Sequence, residues 1–142
     1  MEEKGFEVDR SFYKNSTINL PGLTVENHHF MNAVRGSKRL KRFEKLLQGH
    51  ICSDTGGDKF EGTCMCRPPV MVSAMFLIEH AYAHFLHEGL TWRMVLEWMM
   101  FSRKHKQQID WHSLDVIIDK FGFRKFYETF IKLGQYLFGE LP

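Results

Sequence analysis

The stretch PVMVSAMFLIEHAYAHFLHEGLTWR, Pro69 to Arg93, decides how the rest of the chain is read. From Val70 to Leu86 it is apolar on nearly every face, the signature of a buried helix. It is too short and too rich in histidine for a membrane span. Pro68 and Pro69 start it, because proline fits a first helical turn and halts any helix coming from upstream. Gly89 stops it, since glycine takes the left-handed position after a helix without penalty. His80, His84 and His87 stand at i, i+4 and i+7 and share one stripe. The fold class is therefore set by a central helix around which other elements pack.

Upstream of this helix, residues 5–31 read as extended. Phe6, Val8 and Phe12 alternate with polar neighbours, Ile18 and Leu20 follow, and Pro21-Gly22 signals a type II turn. The run from Leu23 to Phe30 then alternates with period two. Leu23, Val25, Asn27 and His29 face one way, and Thr24, Glu26, His28 and Phe30 the other. This predicts a hairpin with Glu26 and His28 side by side.

Ser37 is a plausible cap for a helix over 37–49 with Leu40, Phe43, Leu46 and Leu47 as its apolar stripe and Gly49 as its end. Arg35, Lys38, Arg39, Lys41, Arg42 and Lys45 cover its remaining surface. Residues 52–67, with Thr55-Gly56-Gly57-Asp58 and Gly62, predict a loop or short hairpin. Downstream of the central helix, Thr91 caps a helix to about Gln107 with Met94, Val95, Trp98, Met99 and Phe101 inward. Asp110 caps another from Trp111 to Phe121, and a last helix runs from Phe123 to Phe138. Short connections predict antiparallel neighbours.

The expected architecture is α+β: a short antiparallel β-ribbon over about residues 5–31, packed on a bundle of four to five helices. The 142 residues suit one domain, with 1–34 as ribbon and 35–142 as bundle. At 44% hydrophobic, with 13 Phe, the chain can bury a core. A net charge of +2 gives no global case for nucleic acid. The charged start MEEKGFEVDR does not read as a signal peptide, so none is expected. Three cysteines, an odd number, argue for a reducing compartment, so a cytoplasmic protein is expected.

Four constellations bear chemistry, each with a plainer alternative. His80 and His84 have the i, i+4 spacing of helical zinc sites. His87 lies about 10 Å along the axis from His80, too far to share one ion. The alternative is a set of hydrogen-bonded core imidazoles, with His87 lining the helix end. His50-x-Cys52 with Cys64-x-Cys66 could close a zinc knuckle. Such sites favour two to four intervening residues, so small buried thiols are the plainer reading and zinc is not expected. The basic helix from Arg35 to Lys45 could clamp a polyanion or could be a solvated face; without interleaved aromatics it does not support nucleic acid. Glu26 beside His28 is a candidate carboxylate for Mg²⁺, though exposed strand carboxylates are common. The first 25 residues hold no Asp-x-Asp pair and no Gly-Ser loop, so a two-metal site is incomplete.

Residues 21–29 (PGLTVENHH), 76–90 (FLIEHAYAHFLHEGL), Arg93, Glu97-Trp98 and Ile109-Asp110-Trp111 together resemble the C-terminal part of an uncharacterised nucleotidyltransferase-like family. That family belongs to the polymerase-beta-type nucleotidyltransferase superfamily. The resemblance implies a core in which a Gly-Ser loop and an Asp-x-Asp strand hold Mg²⁺ and a triphosphate, with a third carboxylate from a later strand. Glu26 falls at that third carboxylate, implying a catalytic and Mg²⁺-binding role. His28 beside it, and Arg93 after the Glu-Gly turn, become candidate contacts to a nucleotide or other phosphate-bearing substrate. His80 and His84 match the family's paired histidines. Glu97 stands where the family tends to have Asp, and Arg93 and Glu97 at i, i+4 could also be a structural pair. The Gly-Ser and Asp-x-Asp elements are expected ahead of residue 1, so the chain alone is expected not to transfer nucleotides. Two rivals stand beside this reading. One is a non-catalytic module that dimerises through the unpaired edges of the ribbon, over residues 6–30. The other is a metalloprotein built on the His80/His84/His87 stripe.

Overall fold

The computed structural model describes residues 7–12, 15–31, 37–51, 59, 61–63 and 66–139. The fold is α+β: a three-stranded antiparallel sheet and, among the described residues, five helices. The chain divides into two compact units, residues 1–44 and 45–142.

The first unit carries β1 (Val8–Asp9), β2 (Asn15–Leu20) and β3 (Leu23–His28), in the order β1-β2-β3. β2 and β3 form the expected hairpin, pairing Thr17 with Glu26, Ile18 with Val25 and Leu20 with Leu23. The two-residue connection is Pro21-Gly22, and Gly22 has φ +73°. A side chain there would be strained, which is why the proline-glycine order fixes the turn. Burial divides the strands unequally. Asn15, Ser16 and Ile18 of β2 are buried, whereas all six residues of β3 are exposed.

Phe6 of the expected extended run lies outside the described residues; among those described, β1 covers Val8 and Asp9 and the run breaks after them. The Asp9 carboxylate accepts the Ser11 amide at 2.8 Å, a local turn that competes with strand extension. Past β3, the Met31 amide donates to Glu44 Oε1 at 2.8 Å. Glu44 lies on α1 (Lys38–Ile51) and is 4% exposed. Ser37 caps this helix as expected, its Oγ accepting the Leu40 amide at 3.2 Å. Gly49 does not end it; the helix runs on to Ile51. A glycine inside a helix costs only about 1 kcal/mol, too little to break one otherwise supported by its apolar stripe.

The second unit holds α2 (Val70–His87), α3 (Trp92–Lys104), α4 (Trp111–Lys120) and α5 (Arg124–Phe138). An antiparallel bridge between Lys59 and Cys66 precedes them, in the stretch expected to be a loop or short hairpin. No position of α2 from Val70 to His84 is exposed, so the apolar stretch is an inner helix over most of its length. Its last turn emerges, with Phe85 and Leu86 more than half exposed. α2 packs on α3, α3 on α5, and α4 touches both α2 and α5. Val72, Met75 and Ile78 of α2, Val95 and Trp98 of α3, Leu114 and Ile118 of α4 and Phe130 of α5 form the core. Each fully buried aliphatic or Phe side chain contributes about 1.5–3 kcal/mol. Met94 and Phe101, expected inward on α3, are only half-buried, and Ser102 is buried. α3 ends at Lys104 rather than near Gln107.

Candidate functional site

Alternation along β3 puts Glu26 and His28 on the same side, as the sequence predicts. His28 Nε2 lies 3.1 Å from Glu26 Oε2. An ionised carboxylate only accepts, so the imidazole donates from Nε2. The two side chains are 43% and 53% exposed, which leaves the carboxylate open to a cation or a ligand from solvent. His29 points elsewhere. Its Nε2 lies 2.7 Å from Oγ of the buried Ser16. Ser16 pairs across the ladder with Asn27, so His29 is its diagonal neighbour. The sequence reading missed Ser16, because only the register reveals a diagonal pair.

Glu26 can supply one hard oxygen donor. Mg²⁺ takes six oxygens and commonly shares itself between one or two carboxylates, water and substrate phosphates. Among the described residues no three His, Cys, Asp or Glu side chains gather closely enough to hold a metal ion. Glu26 therefore fits as one ligand of a magnesium site, not as the whole of it.

The second constellation runs along α2. The Phe76 and His80 rings stack with centroids 5.2 Å apart at 19°. His84 meets His80 edge-on at 4.6 Å and 78°. His84 Nδ1 then reaches Glu88 Oε2 at 3.0 Å. The i, i+4 repeat of the helix thus builds a ladder of Phe76, His80, His84 and Glu88. Both histidines are half-buried rather than core, and His87 is exposed. Glu88 completes the ladder. Its signal in the sequence is the i, i+4 spacing from His84.

Arg93 Nε donates to Glu97 Oε1 at 2.7 Å, and the arginine is 86% exposed. An exposed pair of this kind is worth about 0.3–0.5 kcal/mol. Glu26 and His28 lie in the unit of residues 1–44, while Arg93 and the histidine ladder lie in that of 45–142. Of the His50 and cysteine set, Cys52 and Cys64 fall outside the described residues, while Cys66 and His50 are exposed. Arg35 of the basic segment also falls outside them. Among the described residues no helix is long and apolar enough to cross a membrane.

Compared with known proteins, the sequence matches the family described as uncharacterised nucleotidyltransferase over residues 1–139. No curated protein matches. No solved structure matches. The match spans both the strand that carries Glu26 and the helices that carry the histidine ladder and Arg93, and on it the chain belongs to the uncharacterised nucleotidyltransferase family.

Proposed function

We propose that this chain is the later part of a nucleotidyltransferase site, in which Glu26 contributes the third carboxylate to Mg²⁺. The observation that carries it is a single exposed carboxylate, set on a strand and oriented by His28, in a chain that matches the family over residues 1–139. When bound, the ion would neutralise charge on the phosphates of the nucleotide. His28 would hold the carboxylate rotamer and offer its second nitrogen to a ligand. Arg93, in the unit of residues 45–142, would give an anion contact of its own once released from Glu97. The fuller site needs donors beyond these residues. No Asp-x-Asp pattern occurs in the 142 residues, and the Gly-Ser pair at Gly36-Ser37 follows the Glu26 strand instead of preceding it. We place the protein in the cytoplasm, on its odd cysteine count.

The purified chain is expected to show no magnesium-dependent transfer of label from a nucleoside triphosphate. Turnover under those conditions, abolished by Glu26→Gln, would overturn the claim that the missing donors come from outside these residues. A site supplied with those donors should lose its magnesium dependence on Glu26→Gln. Unchanged dependence would remove Glu26 from the reading.

The exposure of β3 supports a second reading, a non-catalytic module that pairs with another copy. β3 is an edge of the sheet and all six of its residues are exposed, an arrangement that invites strand addition. Light scattering after size exclusion decides between them: a monomer at all concentrations would exclude pairing through the ribbon.

A further inference from the structure

The two faces of α3 are unlike. Val95, Trp98, Met99 and Ser102 are buried in the helical unit. Turned away from them, Trp92, Leu96 and Met100 stand at i, i+4 and i+8 and form one apolar stripe. They are 68%, 40% and 63% exposed. Single apolar residues on a surface are ordinary, but a row aligned on one helix face marks a contact surface. The charges beside the stripe are arranged to one side. At about 100° per residue, Arg93, Glu97 and Lys104 lie along one flank, while the other flank turns through Met99 into the core. Arg103, also exposed, lies in line with the stripe, one turn past Met100.

We propose that this face packs on the same face of a second copy, antiparallel, about a two-fold axis at Leu96. Charge complementarity carries the choice of occupant. A two-fold through the middle of the stripe brings Arg93 of each copy to within about 3 Å, along the axis, of the partner's Glu97, and does so twice. In an antiparallel pair each flank meets its own counterpart, so the charged edges lie side by side. In the single copy Arg93 Nε donates to its own Glu97 at 2.7 Å, and exchange to the partner's Glu97 loses no ion pair. A parallel pair would set this edge against the partner's Met99 side, which offers no charge, and would place the two copies of Arg103 together. Antiparallel packing holds those about 20 Å apart, beyond the screening length of about 8 Å at physiological salt. Arg103 then falls within a turn of the partner's Trp92, whose indole can take a guanidinium on its face. An anionic membrane surface would draw on the cations but repel Glu97. The three apolar side chains leave on the order of 300 Å² in water, a small centre beside the roughly 800 Å² per partner of a standard interface, so the pair is weak and forms as concentration rises. Neither Glu26 nor β3 enters this contact, so it stands or falls apart from both.

The test is sedimentation velocity of the full chain from about 5 to 500 μM, over which the parent is expected to pass from monomer towards dimer and no further. R93E and E97R, each alone, set like charges against each other across the two-fold and should weaken the dimer about tenfold or more. Mixed in equal amounts, the two variants restore opposite charges, and the mixture should associate as the parent does. Both side chains are on the surface, so neither change touches the core. Leu96 faces the partner's Leu96, so L96K acts twice and should leave a monomer throughout. Because the mixture regains association, misfolding of a variant does not imitate the expected result. A parent monomeric over the whole range, assembly beyond the dimer, a mixture that fails to associate, or a dimer indifferent to R93E and E97R, as pairing through β3 would be, would each overturn the proposal. A monomeric parent that binds vesicles of anionic lipid, and loses them in L96K, would overturn it and give the face to a membrane.

Discussion

A Cβ placed on Gly134 would stand 2.5 Å from Sδ and 2.9 Å from Cγ of Met99, so the glycine is what lets α5 approach α3 here. Gly134→Ala gains about 1 kcal/mol of helix propensity. Against that stands overpacking, about 1–3 kcal/mol, because Cγ lies near the root of the Met99 side chain and cannot simply swing aside. A net loss of about 1 kcal/mol is expected in urea unfolding, and Met99→Ala in the same chain should recover part of it. Strictly additive losses would show that the contact is not the cause. Periodicity does not reveal such a residue: it registers Phe126, Phe130, Leu133 and Leu137 as a stripe and passes over the glycine between them. Tyr127 makes a second point at this scale. Its ring meets Trp98 at 5.9 Å and 77°. Burial, then the charge of Asp115, pushes its phenol up to about 12 from 10.0. A raised folded value means that its contribution to stability is complete below pH 10 and is lost as pH rises towards 12. Phenolate absorbance should show a late-titrating component that is missing from Tyr127→Phe.

At the scale of elements, helix starts were legible and helix ends less so. Ser37, Thr91 and Asp110 are small polar residues just ahead of apolar periodicity, and all three accept a backbone amide of their own helix. Their strengths differ. Thr91 Oγ1 takes the Met94 amide at a long 3.4 Å. Asp110 takes the Ser113 amide at 3.0 Å and its hydroxyl at 2.6 Å. Thr91→Ala should therefore cost about 0.5 kcal/mol, the low end for a lost cap, and Asp110→Ala distinctly more. Equal midpoints in urea for the two variants would contradict that order. Ends are harder to read, because a stop depends on what competes beyond it. Gly49 is passed over, while Gly89, Gly122 and Gly139 each adopt a positive φ just past a helix. The strand carrying Glu26 was legible from alternation and the Pro-Gly turn. Its complete exposure was not, since alternating residues predict one covered face and β3 has none covered.

For the whole molecule, the α+β class followed from one apolar helix and one alternating hairpin, whereas the function rests on a resemblance that single residues could not have supplied. Glu26 is one strand carboxylate among many such in proteins, and its sequence alone does not single it out as a ligand. The ordinary carboxylates make a prediction for the molecule's behaviour in acid. Asp9 is held below the usual carboxylate range by the Ser11 amide. Asp110 is held down by the hydroxyl and amide of Ser113, and Asp119 by hydrogen bonding from Arg124. That arginine joins α4 to the start of α5, bonding Asp119 at 2.7 and 2.9 Å and Asp115 at 3.0 Å. A depressed folded value stabilises fully above the unfolded carboxylate value near 4 and loses its effect as pH falls through the folded one. These carboxylates should therefore give up their support below about pH 4, read as a fall in the melting temperature there. Trp92, Trp98 and Trp111 all lie within residues 45–142, so tryptophan fluorescence follows the helical unit, where Asp110 and Asp119 act. Asp119→Asn removes the charge that Arg124 engages, so it should lower the melting temperature at pH 7 and flatten its fall in acid. A variant whose acid limb matched the parent's would show that this clamp is not what acid breaks.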